Sequence, residues 1–271
     1  MVSSGLSIDT VLRADQTWHT IDFISDLHLQ TNEPATFAAW QHYMAGTPAD
    51  AVFILGDLFE VWVGDDALLA KAQGENKPFE ADCQQVLQTA AERLSVYFMH
   101  GNRDFLFGDA AAKACGLTLL RDPTVLVFEE HRWLLSHGDV LCVADTDYQQ
   151  FRESVRSDVW RTAFLAKPLS ERQSLARAIR TQSEAKKASA ATFFDVDGDT
   201  AATWLRAAQA NTLIHGHTHR AAEHILAENP DLRRVVLSDW DAQADPPRLQ
   251  ILRMQVGQPL QRLTLDDAIK A

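Results

Sequence analysis

The chain has 271 residues, 46% hydrophobic and 23% charged, with a formal net charge of −12. That composition excludes a disordered or low-complexity protein and suits one large core, with or without a smaller insertion. The negative charge argues against nonspecific nucleic-acid binding across the whole surface, and no stretch approaches the roughly 18 to 20 apolar residues needed to span a bilayer.

In chain order, the leader around Gly5 is expected to fray. MVSSGLSIDTVLRADQTWHT lacks the continuous apolar core of an export signal. The three cysteines, Cys83, Cys115 and Cys142, form no C-x-x-C pair, so a reducing cytoplasm is the expected compartment. The first buried strand is predicted over 20–25 (TIDFIS), running into DLH with Asp26 and His28. A helix over 36–44 separates it from a strand over 51–55 (AVFIL), which runs into GD with Asp57. A helix over 79–94 leads to a strand over 94–99 (LSVYFM) and then HGNRD, with Asn102, Arg103 and Asp104. After a helix over 109–115, VLVFEEHRWLLS reads as a hairpin whose second strand, 132–136, delivers His137 in HGD. The last of these strands, 212–215 (TLIH), ends in GHTH with His217 and His219. This βα alternation predicts a layered α/β core. Beyond His219, RRVVLS, RLQILRMQV and PLQRLTL alternate apolar and polar residues, which predicts antiparallel strands completing a second sheet, and the AIKA tail is expected to fray.

The stretch from about 145 to 199 breaks that rhythm. Phe151, Val155 and Val159 recur at helical spacing, Trp160, Phe164 and Leu165 follow, and Leu175 and Ile179 form a second pair, so two or three inserted amphipathic helices are expected. Between Tyr148 and Ala190 nine basic residues (Arg152, Arg156, Arg161, Lys167, Arg172, Arg177, Arg180, Lys186, Lys187) face four acidic ones (Glu153, Asp158, Glu171, Glu184), giving this segment +5 and the remainder −17.

Five strand ends thus supply two carboxylates, four imidazoles and an amide oxygen: Asp26, His28, Asp57, Asn102, His137, His217 and His219. So many oxygen donors are out of place around a structural zinc and suit a pair of harder divalent ions. One such residue after a strand is commonly a turn or cap; five strand ends, two of them carrying D-x-H and H-x-H, point to a metal centre. His19, His42, His131 and His224 are expected at the surface or in loops. His100 and His215, beside motif glycines, are expected to pack behind the ligands.

DLH, GD, GNRD, HGD and GHTH, in this order, resemble the calcineurin-like metallophosphoesterase superfamily. That resemblance implies a four-layer sandwich of two mixed sheets flanked by helices, here with residues 18–271 as the phosphoesterase domain and 145–199 as a helical cap inserted in it. It also implies that Asp26, His28 and His219 hold one metal, Asn102, His137 and His217 the other, and that Asp57 bridges them. Two cations sharing a carboxylate about 3.5–4 Å apart activate water and clamp phosphoryl oxygens; Arg103 is placed to neutralise the anionic centre, and Asp104 is either a supporting carboxylate or a turn cap.

The longer strings ILGDLFEVWVGDD, HGNRDFLFG, HGDVLCVADTDYQQFR and LIHGHTHR are similar to the UDP-2,3-diacylglucosamine pyrophosphatases of lipid A biosynthesis. This implies two Mn²⁺ ions, a lipid-linked UDP-sugar cleaved to UMP and 2,3-diacylglucosamine 1-phosphate, and peripheral contact with the cytoplasmic face of the inner membrane. No nucleic acid and no obligate protein partner are implied. Asn102, Arg103, Asp145, Ser183, His217 and a basic residue at Lys186 or Lys187 would contact substrate, with Asp57, Asn102, Arg103 and His217 forming the catalytic set. The chain departs from the family pattern at FFDV, where an I-M-D-V-like string is usual, and at Ser238, where glycine is common. Alternative functions are a soluble phosphodiesterase acting on cyclic nucleotides or dinucleoside polyphosphates, and a catalytically dead scaffold.

Overall fold

Short runs of β-branched and aromatic residues, buried on both faces, place the strands. A computed structural model describes residues 8, 10–69, 78–189, 194–228 and 230–270, with residues 69 and 181–189 described in backbone alone. The leader around Gly5 lies outside the described residues. The strands are β1 (Val11–Arg13), β2 (Thr20–Ile24), β3 (Ala51–Leu55), β4 (Ser95–Met99), β5 (Thr118–Leu120), β6 (Thr124–Phe128), β7 (His131–Ser136), β8 (Thr212–His215), β9 (Ala222–Glu228), β10 (Asp231–Val236), β11 (Gln250–Gln255) and β12 (Gln261–Thr264). They pair into two six-stranded sheets, ordered β12-β11-β2-β3-β4-β5 and β1-β6-β7-β8-β10-β9. In the first, β2 to β5 run parallel. In the second, β7, β8 and β10 run parallel beside the β6–β7 hairpin.

Alternation along each strand divides the interior. Ile21, Phe23, Phe53, Leu55 and Met99 meet Leu126, Leu135, Ile214 and Val235 between the sheets. Phe23, Phe53 and Tyr97 lie directly opposite one another across β2, β3 and β4, with ring centroids 5.3 and 4.6 Å apart. This ladder fixes register, because a slip of one residue would turn the whole apolar set to the other face. The intervening residues Ile24, Val52, Ile54, Val96 and Phe98 face the outer helices α1 (Pro34–Gly46), α2 (Phe79–Ala91) and α3 (Asp109–Cys115). On the far side Val125, Leu134, Leu213 and Leu232 pack with the apolar face of a later helix, Gly198–Ala208. Helix, sheet, sheet, helix is the four-layer sandwich that the sequence motifs imply.

Between β7 and β8 lie α4 (Thr146–Arg156), α5 (Asp158–Leu165), α6 (Leu169–Ser189) and α7 (Gly198–Ala208). Asp145, Ser157 and Asp197 cap α4, α5 and α7 by accepting the backbone N–H of Tyr148, Trp160 and Thr200, which satisfies donors that a helix start leaves orphaned.

Two expectations are corrected, one by the strand order and one by a terminal helix. The strands after His219 do not join one sheet. β10 lies parallel to β8 with β9 as its antiparallel edge, whereas β11 and β12 form a hairpin added to the first sheet beside β2. The polar residue that made β11 look half-exposed is Arg253, which is 2% exposed. Its guanidinium is held by Asp22 at 2.7 and 2.9 Å, and Asp22 also accepts from Tyr43 and Thr47 at 2.9 and 2.8 Å. Nor is the tail through Lys270 frayed: it forms α8 (Leu265–Lys270), whose Ala268 is buried and whose Ala268 carbonyl accepts from Arg253 at 2.8 Å.

Candidate metal centre

Parallel strands deliver their carboxyl-terminal loops to one rim, as open α/β sheets do, and short backbone bonds lash those loops together. Asp26 N donates to Gly56 O and His28 N to Asp57 O, both at 3.0 Å, while Gly216 N donates to His137 O at 3.0 Å. Asp26, His28, Asp57, His217 and His219 all have positive φ, between 50° and 68°. Left-handed backbone at a non-glycine residue costs of order 1–3 kcal/mol; five cases at one rim aim side chains inward where ordinary strand geometry would not.

The predicted residues gather into two clusters. In the first, His219 Nε2 is 3.3 Å from Asp26 Oδ1 and 3.3 Å from His28 Nε2. In the second, Asn102 Oδ1 is 3.1 Å from His137 Nε2 and 2.8 Å from His217 Nδ1. Asp57 stands between them, Oδ2 at 3.9 Å from His28 Nε2 and Oδ1 at 3.8 Å from His137 Nε2. Asp26 reaches both sides: ligand atoms of Asp26, His28 and His219 lie within 4.8 Å of one another, as do those of Asp26, Asp57 and His137.

This donor set fits divalent cations. Burial alone would favour a neutral His137, yet the charges of Asp57, Asp26 and Asp139 push its pKa up to about 9. Burial likewise opposes the charge on Asp26, but a hydrogen bond from His219 and the neighbouring imidazoles hold it well below the usual carboxylate range. A field that retains a proton on a fully buried imidazole is one that would retain a metal ion. The space is also shaped: a Cβ on Gly101 would sit 2.0 Å from Asp57 Oδ1, and one on Gly216 would sit 2.3 Å from Asp26 Oδ2. Any larger residue at either position would displace a ligand.

Supporting contacts differ between clusters. Behind the first stand carboxylates: Glu60 Oε2 is 2.8 Å from His28 Nδ1, and Asp239 Oδ2 is 3.7 Å from His219 Nδ1. Behind the second, His137 Nδ1 is 2.9 Å from the Leu55 carbonyl, and the Tyr148 ring stacks on His217 with centroids 6.0 Å apart. Asp104 is fully buried and accepts from Gly101 N at 2.8 Å; burial and the nearby Asp57 charge push its carboxyl up to about 7. With Phe59 N donating to its other oxygen at 3.3 Å, it ties the GNRD turn to the segment after Asp57 and does not cap the turn that follows it. His215 is buried, with Nδ1 2.9 Å from Gly216 O, and burial beside Arg234 lowers it to about 4. His100 Nε2 lies 2.6 Å from Phe107 O.

Arg103 sits beside the clusters, its backbone N donating to Asp57 Oδ1 at 2.8 Å and its Nη1 3.5 Å from Glu60 Oε1. Asp145 is placed as the α4 cap, next to the tyrosine that stacks on His217. Ser183, Lys186 and Lys187 fall on the last turns of α6, where side chains lie outside the described residues.

The segment's positive charge is used differently from its simplest reading as a set of cations for a ligand. Arg152 pairs with the buried Asp139 at 2.8 Å. Arg156 donates to Gly101 O at 2.8 Å and lies over the Phe105 ring. Arg172, 2% exposed, is forked onto Asp66 and donates to Val63 O, and Arg180 pairs with Glu60 at 3.1 Å. These four arginines dock the helices onto the body. Their partners Asp139, Asp66 and Glu60 belong to HGD, GDD and GDLFE, so carboxylates of those strings left over from metal ligation were the available signal.

A profile of the calcineurin-like phosphoesterase family matches residues 19–221. The chain is 42% identical over 224 residues to an Aromatoleum aromaticum protein named UDP-2,3-diacylglucosamine hydrolase, covering 80% of this chain and 88% of the relative. It is 42% identical over 223 residues to a Pseudomonas putida protein of the same name, covering 80% and 90%. An Aeromonas hydrophila protein so named is 40% identical over 223 residues, covering 80% and 89%.

Proposed function

The chain belongs to the calcineurin-like phosphoesterase family, in its UDP-2,3-diacylglucosamine hydrolase branch, and on that premise we propose that it hydrolyses the diphosphate of UDP-2,3-diacylglucosamine to UMP and 2,3-diacylglucosamine 1-phosphate. The observation that carries the reading is Asp57, one oxygen turned to each ligand cluster, in a chain whose relatives bear that name. Asp26, His28 and His219 would hold one ion and Asn102, His137 and His217 a second, with Asp57 shared, both manganese by family resemblance. Bound there, such ions supply Lewis acidity and a water of lowered pKa.

The chain's own groups orient and neutralise. Arg103, anchored through its backbone to Asp57, presents its guanidinium to the phosphoryl oxygens; Asn102 and His217 would contact the substrate as the family resemblance implies. Attack on the uridine-side phosphorus expels a phosphomonoester, which leaves without a strong general acid. Residues 145–199 form the cap. Phe151, Val159, Leu165, Leu175 and Ile179 on it are exposed, Val159 by 83%, and offer apolar surface for acyl chains. Among the described residues no helix is long and apolar enough to cross a membrane; contact with the cytoplasmic face of the inner membrane is peripheral and made through this cap.

By the family resemblance Lys186 or Lys187 contacts the diphosphate, and Ser183 and Asp145 complete its contacts. Replacing both lysines with glutamine should raise KM for the diacylated substrate several-fold and leave kcat nearly unchanged; unaltered steady-state kinetics would remove them from the site. The function itself is tested by manganese-loaded protein on acylated and deacylated UDP-glucosamine and on small phosphodiesters. Strong preference for the acylated substrate is expected. Efficient cleavage of cyclic nucleotides or dinucleoside polyphosphates with the acylated substrate left intact would replace this reading with the soluble phosphodiesterase.

A further inference from the structure

Glu60 is a buried carboxylate, 6% exposed, that the reaction as described does not use. Its position is fixed by backbone: the DLHL and DLFE segments form a short parallel bridge at Leu29 and Phe59, Leu29 N donates to Leu58 O at 2.9 Å and Glu60 N to Leu29 O at 3.2 Å. From there the side chain meets three segments distant in sequence. Oε2 lies 2.8 Å from His28 Nδ1, while Oε1 lies 3.1 Å from Arg180 Nε on α6 and 3.5 Å from Arg103 Nη1. Arg180 also donates to Gln30 Oε1 at 3.1 Å, in the same loop as His28.

We propose that Glu60 is a positioning residue through which one carboxylate sets both the metal-facing tautomer of His28 and the placement of Arg103 and Arg180 over the site. The proposal rests on the phosphohydrolase reading above. On one side, Glu60 Oε2 lies within reach of Nδ1 but off the line of its N–H, and a ring turned to donate that proton to the carboxylate keeps the lone pair of Nε2, the nitrogen facing His219, free and becomes a stronger donor. On the other, two guanidiniums that share one oxygen would repel each other without it, and each long side chain would regain its rotamers. Grip on the ion and grip on an anionic ligand under α6 are therefore coupled at this residue.

Glu60→Gln separates these roles from simple packing because it keeps the volume. A glutamine amide can accept from His28 or from the arginines through its one oxygen, and its NH₂ must then face the other. Mn²⁺ affinity, measured by titration with electron paramagnetic detection of free Mn²⁺ and no substrate present, should fall about ten- to a hundredfold, the range for losing a partner behind a ligand. KM for the diacylated UDP-sugar should rise. Arg180→Gln should raise KM and leave Mn²⁺ affinity unchanged, and in the double variant the two KM effects should combine to less than their product, since both remove the Glu60–Arg180 contact while Glu60→Gln leaves Arg180 its bond to Gln30. Wild-type Mn²⁺ affinity in Glu60→Gln, or KM effects that multiply in the double variant, would overturn the proposal. If thermal melting shows Glu60→Gln to be unfolded, Glu60→Asp, which withdraws the charge from His28 by one methylene, takes its place: weakened Mn²⁺ binding is expected, and unchanged binding overturns the proposal. A wild-type protein that binds Mn²⁺ but ignores the diacylated substrate would sink the functional reading alone, because the metal titration still judges Glu60.

Discussion

Asp57→Asn should reduce turnover of the diacylated UDP-sugar to below about one per cent of wild type, in line with losses on the order of 10²–10³ for removing one charged or hydrogen-bonding group at a reacting centre. Asp57 is the residue whose two oxygens face opposite clusters, at 3.9 Å from His28 and 3.8 Å from His137, so its charge serves both ions at once. Asparagine is a better test than alanine for a backbone reason. The residue has φ 52°, a region that asparagine tolerates and alanine pays for, and Asn can still accept the 2.8 Å bond from Arg103 N. Asp57→Ala should be at least as inactive. Steady-state rates across a Mn²⁺ titration check the claim; more than a few per cent of wild-type kcat at saturating Mn²⁺ in either variant would refute the shared-ligand role.

Asp22→Ala should lower stability by about 3–5 kcal/mol, the usual consequence of stranding one partner of a buried ion pair. Asp22 is fully buried on β2, and Arg253 on β11 is 2% exposed. Removing the carboxylate leaves that guanidinium with the Ala268 carbonyl at 2.8 Å and Thr47 Oγ1 at 3.3 Å, and it takes the acceptor from the hydroxyls of Tyr43 and Thr47. In a chain of this size such a loss corresponds to a fall in Tm on the order of 10 °C. Because the pair sits on the helical side of the first sheet, away from the ligand rim, activity of the folded fraction at low temperature should be retained. Combining Asp22→Ala with Arg253→Met should recover much of the loss, since no buried charge then stands alone. A Tm within a degree or two of wild type in the single variant would mean that water or a rearranged Arg253 replaces Asp22.

These two residues mark the boundary of what the sequence reveals. Asp57 lies two residues past a five-residue apolar strand, so both its place beyond a strand end and its chemistry are local properties, and the same holds for Asp26, His28, Asn102, His137, His217 and His219. Asp22 and Arg253 are 231 positions apart; alternation marks Arg253 as a surface residue of a strand, and only the tertiary pairing shows why β11 belongs beside β2. The cap is a similar case. Its helices follow from the spacing of Phe151, Val155 and Val159, but what its positive charge does is visible only where Arg152, Arg172 and Arg180 meet carboxylates from the segments that follow β7 and β3. Glu60 stood in a string already singled out and Asp239 directly after another, yet nothing local distinguishes a carboxylate that faces an ion from one that orients an imidazole. The left-handed backbone at five ligands is equally invisible in a residue alphabet where aspartate and histidine occur in turns of every kind.

The central claim is that this chain's paired clusters hydrolyse a lipid-linked UDP-sugar at the phosphorus bearing uridine. Hydrolysis of UDP-2,3-diacylglucosamine by the manganese-loaded protein in ¹⁸O-enriched water, with both products weighed by mass spectrometry, tests it most directly. One ¹⁸O atom in UMP and none in the diacylglucosamine 1-phosphate is the expected result. Label in the sugar phosphate, or no turnover of this substrate by protein that binds manganese and cleaves small diesters, would contradict it.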